Sequence, residues 1–329
     1  MPHTCIIVNP KAGKKLFINL YLPMVTAVFE EHGITFNIEY TKKAGNGTEI
    51  AKEYLEKVDF FTIFGGDGTI KEVVAGMKDN PKPIGIIPFG TVNVLALDLG
   101  IPFDPMRAAM TIVYGIKKNI DIGIINQQPF VLMTSIGIDA EAVHNVNLNV
   151  KKFIGKIAYI TSAIKSIFIY RPHRIKIDIL DRHIVDSGYV AIISNSRFYG
   201  GKFVIDEDTK VDDGLLNIFL FKRNSIFDTF RLFMGVLTKS HNKMKDIAFY
   251  KGSKILIFSE KKVKVQVDGD KGPYPPLDIS ISPSFLPVFV SEERFVMPEM
   301  TKKYMKRFFK KLIKERKSYL KNHYSKKKF

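Results

Sequence analysis

A glycine-rich turn that contains one carboxylate is the segment of this chain best suited to phosphate chemistry. Residues 64–69 read Phe-Gly-Gly-Asp-Gly-Thr, and they follow an apolar run of strand length at 59–64. Apolar residues then recur at 70, 73, 74 and 77, which is the spacing of one helical face. Glycines let the backbone approach a ligand closely, and a helix N-terminus presents N–H groups and partial positive charge. The segment therefore predicts a strand–turn–helix that binds an anion.

Two other predicted strands also end in turns. Residues 8–13 read Val-Asn-Pro-Lys-Ala-Gly, and residues 85–93 read Gly-Ile-Ile-Pro-Phe-Gly-Thr-Val-Asn. An ordinary tight connection, or the capping of a helix by Thr91, would explain either loop alone. Three such loops at the carboxyl ends of one parallel sheet together predict a ligand site at that edge.

The elements that must position these loops alternate along the first hundred residues. Strands are expected at 4–8, 35–40, 59–64 and 83–87. Helices are expected at 16–32, from Thr48 as its cap to about 58, and at 91–99. This alternation is typical of a mostly parallel, layered α/β sheet. From about residue 120 strictly alternating strands appear, such as 175–179 and 263–267, with helical insertions near 150–170 and 225–240. These predict a second, β-rich domain, read as a sandwich.

The glycine turn at 65–69 and the Pro-Phe-Gly-Thr-Val-Asn run at 88–93 resemble the diacylglycerol kinase catalytic domain. Sphingosine and ceramide kinases and bacterial lipid kinases share this domain, and NAD kinases share the turn more distantly. The resemblance extends over about residues 4–295. It implies a Rossmann-like three-layer α/β nucleotide-binding domain at 1–120 and a β-sandwich lipid or substrate domain at 121–285. A segment at 286–300 is expected to return to the first domain.

The resemblance implies that ATP binds across the three loops and a threonine that follows the second strand. The residues so assigned are Asn9, Pro10, Lys11, Ala12, Gly13, Thr41, Gly65, Gly66, Asp67, Gly68, Thr69, Ile70, Lys71, Glu72, Thr91 and Asn93. Asp67 is expected to contact ATP or its metal. The chain departs from the family at Ile70-Lys71, where Leu-Asn is more usual. It also has Val94 where many lipid kinases have Asp, and Asp98 is a substitute carboxylate one helical turn later.

The resemblance also implies a general base and a magnesium site. Val-Asp-Gly-Asp at 267–270 stands where the family has Asp-Gly-Glu, so either Asp268 or Asp270 would accept the proton of the attacking hydroxyl. The segment at 210–215 matches one that holds a structural Mg²⁺, through the Asp213 carboxylate and the carbonyls of Lys210 and Leu215. Oxygen ligands of this kind suit Mg²⁺.

Composition excludes several other classes of protein. The lone cysteine, Cys5, lies in an apolar run, which excludes an internal disulfide framework and predicts a core residue in a reducing cytoplasm. The seven histidines are scattered and pair with no His or Cys at zinc spacing. The longest apolar candidate, at 157–170, is too short for a transmembrane helix and is interrupted by Lys165.

The net charge of +17 is concentrated at the end of the chain. Residues 301–329 carry thirteen Lys or Arg against one acid, and their apolar residues fall along one helical stripe. This pattern predicts a basic amphipathic helix that binds an anionic membrane surface. A solvated helix packed on the body is the alternative; nucleic-acid binding is not expected, because no RNA-binding signature is present.

The resemblance, together with the basic tail and the single cysteine, implies a cytoplasmic, ATP- and Mg²⁺-dependent lipid kinase that associates peripherally with the inner face of the membrane. Diacylglycerol is the expected acceptor and phosphatidic acid the product, a step of phospholipid biosynthesis. Phosphatidylglycerol, a sphingoid base and undecaprenol remain open as acceptors. The alternatives are an NAD kinase, against which residues 88–93 argue, and a non-catalytic module that binds nucleotide or anionic lipid. The family includes dimers, so a homodimer is possible.

Overall fold

The structure is a computed structural model that describes residues 1–13, 15–78, 80–138, 140–141, 172–199, 201, 203–238 and 244–292. The helix expected near 150–170 and the basic tail at 301–329 lie outside the described residues. Of the segment at 286–300, residues 286–292 are described.

The first part of the chain alternates strands and helices as its periodicity predicts. Its elements are β1 (His3–Val8), α1 (Lys15–Glu31), β2 (Thr35–Tyr40), α2 (Asn46–Tyr54), β3 (Phe60–Gly65), α3 (Asp67–Met77), β4 (Ile84–Pro88), α4 (Val94–Asp98), α5 (Pro105–Tyr114) and β5 (Ile116–Ile120).

The remaining described elements are mostly strands. They are β6 (Gly123–Ile125), β7 (Gln128–Phe130), β8 (Met133–Ile136), β9 (Ile175–Ile179), β10 (Ile184–Gly188), β11 (Val190–Ser194), β12 (Phe198–Tyr199), β13 (Phe203–Val204), β14 (Leu216–Phe221), α6 (Ile226–Leu237), β15 (Ile247–Gly252), β16 (Lys254–Ser259), β17 (Val265–Val267), β18 (Asp270–Lys271), β19 (Leu277–Ile281) and β20 (Leu286–Val290).

The first sheet has the order β2-β1-β3-β4-β20-β5. Its first four strands are parallel, and their register places the end of β1 beside Phe64 and Gly65 beside Pro88. The turns that follow β1, β3 and β4 therefore start at the same edge. Strand β20 comes from the far end of the chain, and it pairs parallel with β4 and antiparallel with β5.

Buried apolar faces hold the helices on this sheet. Ile70, Val73, Val74 and Met77 of α3 are all buried, as their helical spacing predicts. The lone Cys5 is fully buried in β1, and burial raises the pKa of its thiol to about 12. A thiol with such a pKa stays protonated at neutral pH, so Cys5 is a core residue, as predicted.

Two predicted helix starts are wrong. The helix expected at 91–99 begins only at Val94, and Thr91 is an exposed residue outside it. Thr48 does not cap α2, which begins after Gly45 and ends at Tyr54, short of residue 58. In both places a carboxylate from another part of the sequence supplies the cap, as described below.

The second half folds as two facing antiparallel sheets. Their orders are β10-β9-β16-β19-β6-β7 and β15-β14-β11-β8-β17-β18. Alternate residues of both sheets, such as Ile177, Ile257 and Ile218, are buried in one shared core. The face of the second sheet that points away from this core is also apolar. Its residues Phe219 and Phe221 belong to another buried cluster, which includes Leu232 of α6. The predicted combination of an α/β domain with a β-sandwich is confirmed.

Candidate active site

The three predicted loops meet at the carboxyl edge of the first sheet. A Cβ added to Gly66 would lie 2.8 Å from the Cα of Gly90, so these two backbones pack directly on each other. The Asn9 side chain donates from Nδ2 to Thr69 Oγ1 at 2.9 Å, which links the first loop to the glycine turn. The sequence predicted that the three loops share an edge, and the structure brings them into contact.

The first loop is shaped by hydrogen bonds within it. Asn9 Oδ1 accepts from the Lys11 backbone N–H at 3.0 Å, and Gly13 has a φ of +76° that other residues rarely adopt. Pro10 and Ala12 are half-buried, whereas Lys11 is exposed. Thr41 is buried beside this loop. Its N–H donates to Val8 O at 2.9 Å.

The glycine turn leaves one side open. Gly65 packs against the side chain of Thr69, but a Cβ on Gly68 would meet nothing within 4 Å. Gly68 lies in the first turn of α3, where backbone N–H groups have no partner within the helix. Ile70 is buried, so only its backbone can face a ligand. The open side at Gly68 is where a phosphate can approach these N–H groups.

Asp67 holds the glycine turn to the third loop. Its two carboxylate oxygens accept from the backbone N–H groups of Val94, at 2.9 Å, and Leu95, at 3.2 Å. The carboxylate therefore caps α4, the role that the sequence suggested for Thr91. Burial raises the pKa of Asp67, and these backbone hydrogen bonds act in the opposite direction. The predicted contact with ATP or its metal stays a prediction.

Asn93 closes the third loop. It has a φ of +55°, its Oδ1 accepts from Gly90 N at 2.8 Å, and its Nδ2 donates to Gly90 O at 3.0 Å. The side chain is buried by this arrangement, while Thr91 stays exposed at the tip. Asn93 therefore shapes the loop, and Thr91 is the side chain of the pair that faces outward.

Glu72 is used away from the glycine turn. Its two carboxylate oxygens accept from Gly45 N at 2.7 Å and Gly47 N at 2.9 Å, at the start of α2. Thr48, predicted as the cap of that helix, instead donates from Oγ1 to Glu72 O at 2.8 Å. Glu72 thus anchors α2 to α3, and its carboxylate is occupied there.

The two predicted bases lie in different environments. Asp268 is half-buried at a φ of +49°, and its carboxylate accepts from the N–H groups of Val131, Leu132 and Met133 at 2.8 to 2.9 Å. Burial raises the pKa of this carboxyl, and the backbone hydrogen bonds and the charge of Lys71 oppose that shift. Both carboxylate oxygens of Asp268 are therefore engaged in holding the 131–133 segment.

Asp270 faces solvent next to the glycine turn. Its side chain is 66% exposed, and Oδ2 lies 2.9 Å from Lys71 Nζ. Lys71 also donates to Val267 O at 3.0 Å, so one ammonium group joins α3 to the turn between β17 and β18. Of the two carboxylates, Asp270 is the more exposed and has fewer hydrogen-bond partners among the described contacts.

The predicted magnesium segment lies beside a carboxylate that the sequence reading missed. Asp213 Oδ1 accepts from Leu215 N at 3.1 Å, and the neighbouring Asp121 accepts from Gly214 N at 2.7 Å through Oδ2. Asp121 is fully buried, and within the described residues its Oδ1 has no hydrogen-bond partner. Burial raises its pKa, and the charges of Asp213 and Asp212 add to that effect.

The donor set at this segment suits a hard cation only in part. Among the residues that the structure describes, no group of three or more His, Cys, Asp or Glu side chains gathers around one point. Carboxylate and backbone oxygens with retained waters are nevertheless what Mg²⁺ prefers. The unpartnered buried oxygen of Asp121 beside Asp213 therefore fits an Mg²⁺ whose remaining ligands are carbonyls and water. A single Asp between isoleucines, directly after β5, was the signal in the sequence.

Asp98, the predicted substitute for a carboxylate at Val94, contacts the loop after β11. Its Oδ2 accepts from Ser196 Oγ at 2.6 Å and from Arg197 N at 3.2 Å, and Oδ1 lies 2.9 Å from Arg197 Nε. The side chain is almost fully buried by these contacts. Asp98 joins the end of α4 to the loop after β11, so it positions the two halves of the chain.

Comparison with known proteins matches both halves of the chain. Residues 3–125 match the diacylglycerol kinase catalytic domain, and residues 133–290 match the YegS C-terminal NAD kinase beta sandwich-like domain.

No helix among the described residues has the length and apolarity needed to cross a bilayer.

Named relatives are similar over most of their length. The diacylglycerol kinase of Bacillus subtilis (strain 168) is 29% identical over 276 residues, which are 83% of this chain and 91% of that protein. The diacylglycerol kinase of Staphylococcus carnosus (strain TM300) is also 29% identical over 276 residues, 81% of this chain and 88% of that protein.

A solved structure agrees with these matches. The crystal structure of a protein from Bacillus anthracis str. Sterne, provisionally named a diacylglycerol kinase, has a TM-score of 0.75 and 26% identity. The likeness covers 88% of this chain and 95% of that one. The two domain matches, the relatives and the shared architecture show that this chain is a lipid kinase that belongs to the diacylglycerol kinase catalytic-domain family.

Proposed function

We propose that this kinase transfers the γ-phosphoryl group of ATP to the hydroxyl of diacylglycerol, which gives phosphatidic acid and ADP. The observation that carries the proposal is Asp270, an exposed carboxylate held by Lys71 next to a glycine turn that is open at Gly68. The acceptor oxygen forms a bond to phosphorus as the bond to the bridging oxygen of ADP breaks. The hydroxyl proton passes to the carboxylate of Asp270.

The chain's own loops supply most of the positioning that phosphoryl transfer needs. The open N–H groups at the start of α3 receive phosphate oxygens, and the first loop and Thr91 flank them. Asp67 and Asn93 keep the second and third loops at a fixed separation through their contacts to Val94, Leu95 and Gly90. A preformed site of this kind favours the transition state because little reorganisation is needed.

Lys71 positions the base in this chain. In the resembling family the base is a Glu, and here the shorter Asp270 must reach the same hydroxyl. The ammonium of Lys71 contacts both Asp270 Oδ2 and Val267 O, so it fixes the carboxylate relative to α3. The two departures from the family pattern, Lys71 and Asp270, are therefore in direct contact and compensate for each other.

Mg²⁺ is part of the proposal. Asp213 and the carbonyls of Lys210 and Leu215 would hold one ion, with Asp121 beside them. When bound, the ion would neutralise the carboxylates of Asp213 and Asp121 and order the segment at 210–215. The buried, unpartnered Oδ1 of Asp121 is the observation that supports it.

Diacylglycerol is proposed as the acceptor because the relatives in Bacillus subtilis and Staphylococcus carnosus bear that name. The test is phosphate transfer from labelled ATP with Mg²⁺ and vesicles that each contain one candidate lipid. We expect labelled product from diacylglycerol. Labelling of phosphatidylglycerol, a sphingoid base or undecaprenol instead would change the substrate and keep the mechanism.

Two controls separate the alternatives in that experiment. NAD is offered as a soluble acceptor, since transfer to NAD alone would make the chain an NAD kinase and refute the lipid proposal. ATP consumption without lipid is measured in parallel. If the protein binds ATP but transfers phosphate to none of the acceptors, it is a binding module that has lost turnover.

A further inference from the structure

The outward side of α6 carries three large apolar side chains beside the charged Arg231. Phe227, Phe230 and Met234 are 86%, 49% and 41% exposed, and their spacing puts them on one face of the helix. The opposite side of α6 is buried through Thr229 and Leu232, and Leu232 joins the cluster on the outer face of the second sandwich sheet. We call Phe227, Phe230 and Met234 the α6 patch.

A helix on the surface of a soluble protein normally turns charged and polar residues outward. Single exposed apolar residues are common, but three large ones together mark a surface that contacts something apolar. We therefore expect the α6 patch to contact an apolar partner. The charge of the neighbouring residues indicates what kind of partner that is.

The segment that carries the patch is strongly basic. Residues 222–246 contain six Lys or Arg and two acids, Asp228 and Asp246. Arg223 and Lys245 are exposed on either side of the helix, whereas Lys222 pairs with Asp186, and Arg231 on the helix pairs with Asp228 and Asp246. Exposed aromatic side chains within a basic segment are the pattern of a helix that lies in the interface of an anionic bilayer.

A series of contacts within the fold connects α6 to the candidate active site. Helix α6 packs against β13, and its hairpin partner β12 packs against α4. Arg197, directly before β12, pairs with Asp98 at the end of α4. The start of α4 is in turn held by Asp67 of the glycine turn. A surface that holds α6 is therefore connected through packed elements to the loops that face the nucleotide.

We propose that the α6 patch inserts into the headgroup region of an anionic bilayer and presents the active site to the lipid acceptor. The proposal rests on the lipid-kinase function. It adds a second membrane contact, in the folded body, to the one predicted for the basic tail. Phe227 enters the apolar boundary, and the neighbouring cations meet anionic headgroups.

The absence of tryptophan from the sequence makes a direct test possible. Phe227→Trp in the full-length protein introduces a single Trp at the patch. Phe258→Trp is the matched control, because Phe258 is 43% exposed on β16, in the sandwich sheet on which α6 does not pack. Each variant is mixed with vesicles of phosphatidylglycerol and phosphatidylcholine, with and without bromine on the acyl chains.

We expect Trp emission of the Phe227 variant to shift to shorter wavelength and to be quenched by the brominated chains, whereas the Phe258 variant shows neither effect. An unchanged spectrum at Phe227 while the protein sediments with vesicles would overturn the proposal, because the tail would then suffice. Equal quenching at both positions, or no sedimentation, would also overturn it. A shift that depends on protein concentration without vesicles would assign the patch to a second copy of the chain.

Phe227→Ser separates docking from catalysis. We expect it to raise the vesicle concentration needed for half-maximal sedimentation by about tenfold, as loss of a partly buried aromatic group predicts. On diacylglycerol dispersed in nonionic detergent micelles, the same variant should transfer phosphate at the wild-type rate. If the wild-type protein does not phosphorylate micellar lipid, the proposed acceptor function is refuted. The Trp emission and quenching measurements would still report whether the α6 patch enters the bilayer.

Discussion

At the scale of single residues, the site depends on which carboxylates are already occupied by backbone N–H groups. Asp268 accepts three such hydrogen bonds, and Asp67 accepts two. Removing an acceptor of this kind leaves buried donors unpaired, which costs about 1–3 kcal/mol. Asp270 accepts only from the Lys71 side chain among the described contacts, and it remains exposed. The occupied carboxylates shape the site, and the accessible one is assigned the chemistry.

Asp268→Asn and Asp270→Asn distinguish these two roles. We expect Asp270→Asn to lower kcat by about 100-fold or more, since a general base contributes about 10²–10⁴, while Tm stays unchanged. Asp268→Asn should lower Tm, because one backbone N–H loses its acceptor. Calorimetry and initial rates on mixed vesicles measure both. Near-normal rates in both variants would end the assignment of the base to this turn.

Lys71 gives a second prediction at this scale. Lys71→Met removes the ammonium that holds Asp270 and should lower kcat by about tenfold or more with little change in the KM for ATP. Lys71→Arg keeps the charge and should restore much of the rate. In the Asp270→Asn background, Lys71→Met should cost far less, because the interaction is already lost. Additive losses in the double variant would show that the two residues act independently.

At the scale of elements, the three loops form one unit because their glycines allow direct backbone contact. Gly66 and Gly90 pack on each other, and Asp67 then reaches the start of α4. This arrangement explains how a helix of only five residues can begin without a capping side chain of its own. The N–H groups of α4 that have no acceptor within the helix donate to Asp67, which lies 27 positions before Val94 in the chain.

Gly66→Ala and Gly68→Ala test this unit as a matched pair. The methyl group at residue 66 would lie 2.8 Å from Gly90 Cα, so we expect a loss of about 1–3 kcal/mol in the free energy of unfolding. The methyl group at residue 68 meets open space within a helix, and about 0.4–1 kcal/mol should be gained. Denaturant unfolding measures both. The Gly68 variant should also raise the KM for ATP, because the methyl group stands where phosphate approaches; an unchanged KM would move the phosphate elsewhere.

At the scale of the whole molecule, the two halves are joined at several points that flank the candidate site. Lys71 reaches the turn after β17, Asp98 reaches Ser196 and Arg197, and β20 returns to pair with β4. These contacts fix the sandwich relative to the nucleotide loops. Catalysis at a bilayer then requires that the joined molecule be held at the membrane with one orientation.

Removal of residues 301–329 tests the predicted basic tail. We expect weaker sedimentation with anionic vesicles and unchanged ATP binding, because the segment carries a large share of the positive charge. High salt should reduce binding of the full chain more than of the shortened one. Unchanged sedimentation after removal would show that the tail is not a membrane contact.

Local sequence patterns predicted most of the elements and the family resemblance. Strands such as 35–40 and 175–179, the buried face of α3 and the three strand-end loops follow from local periodicity and turn residues, which neighbouring positions carry. Only the tertiary structure decided what each polar side chain contacts. Asp268 accepts a hydrogen bond from the N–H of Val131, which lies 137 positions earlier in the chain. Asp98 accepts one from the N–H of Arg197, 99 positions later. Such pairings depend on how the sheets pack. No local signal was therefore sufficient to predict the backbone hydrogen bonds of Asp268, the capping of α4 by Asp67 or the unpartnered oxygen of Asp121.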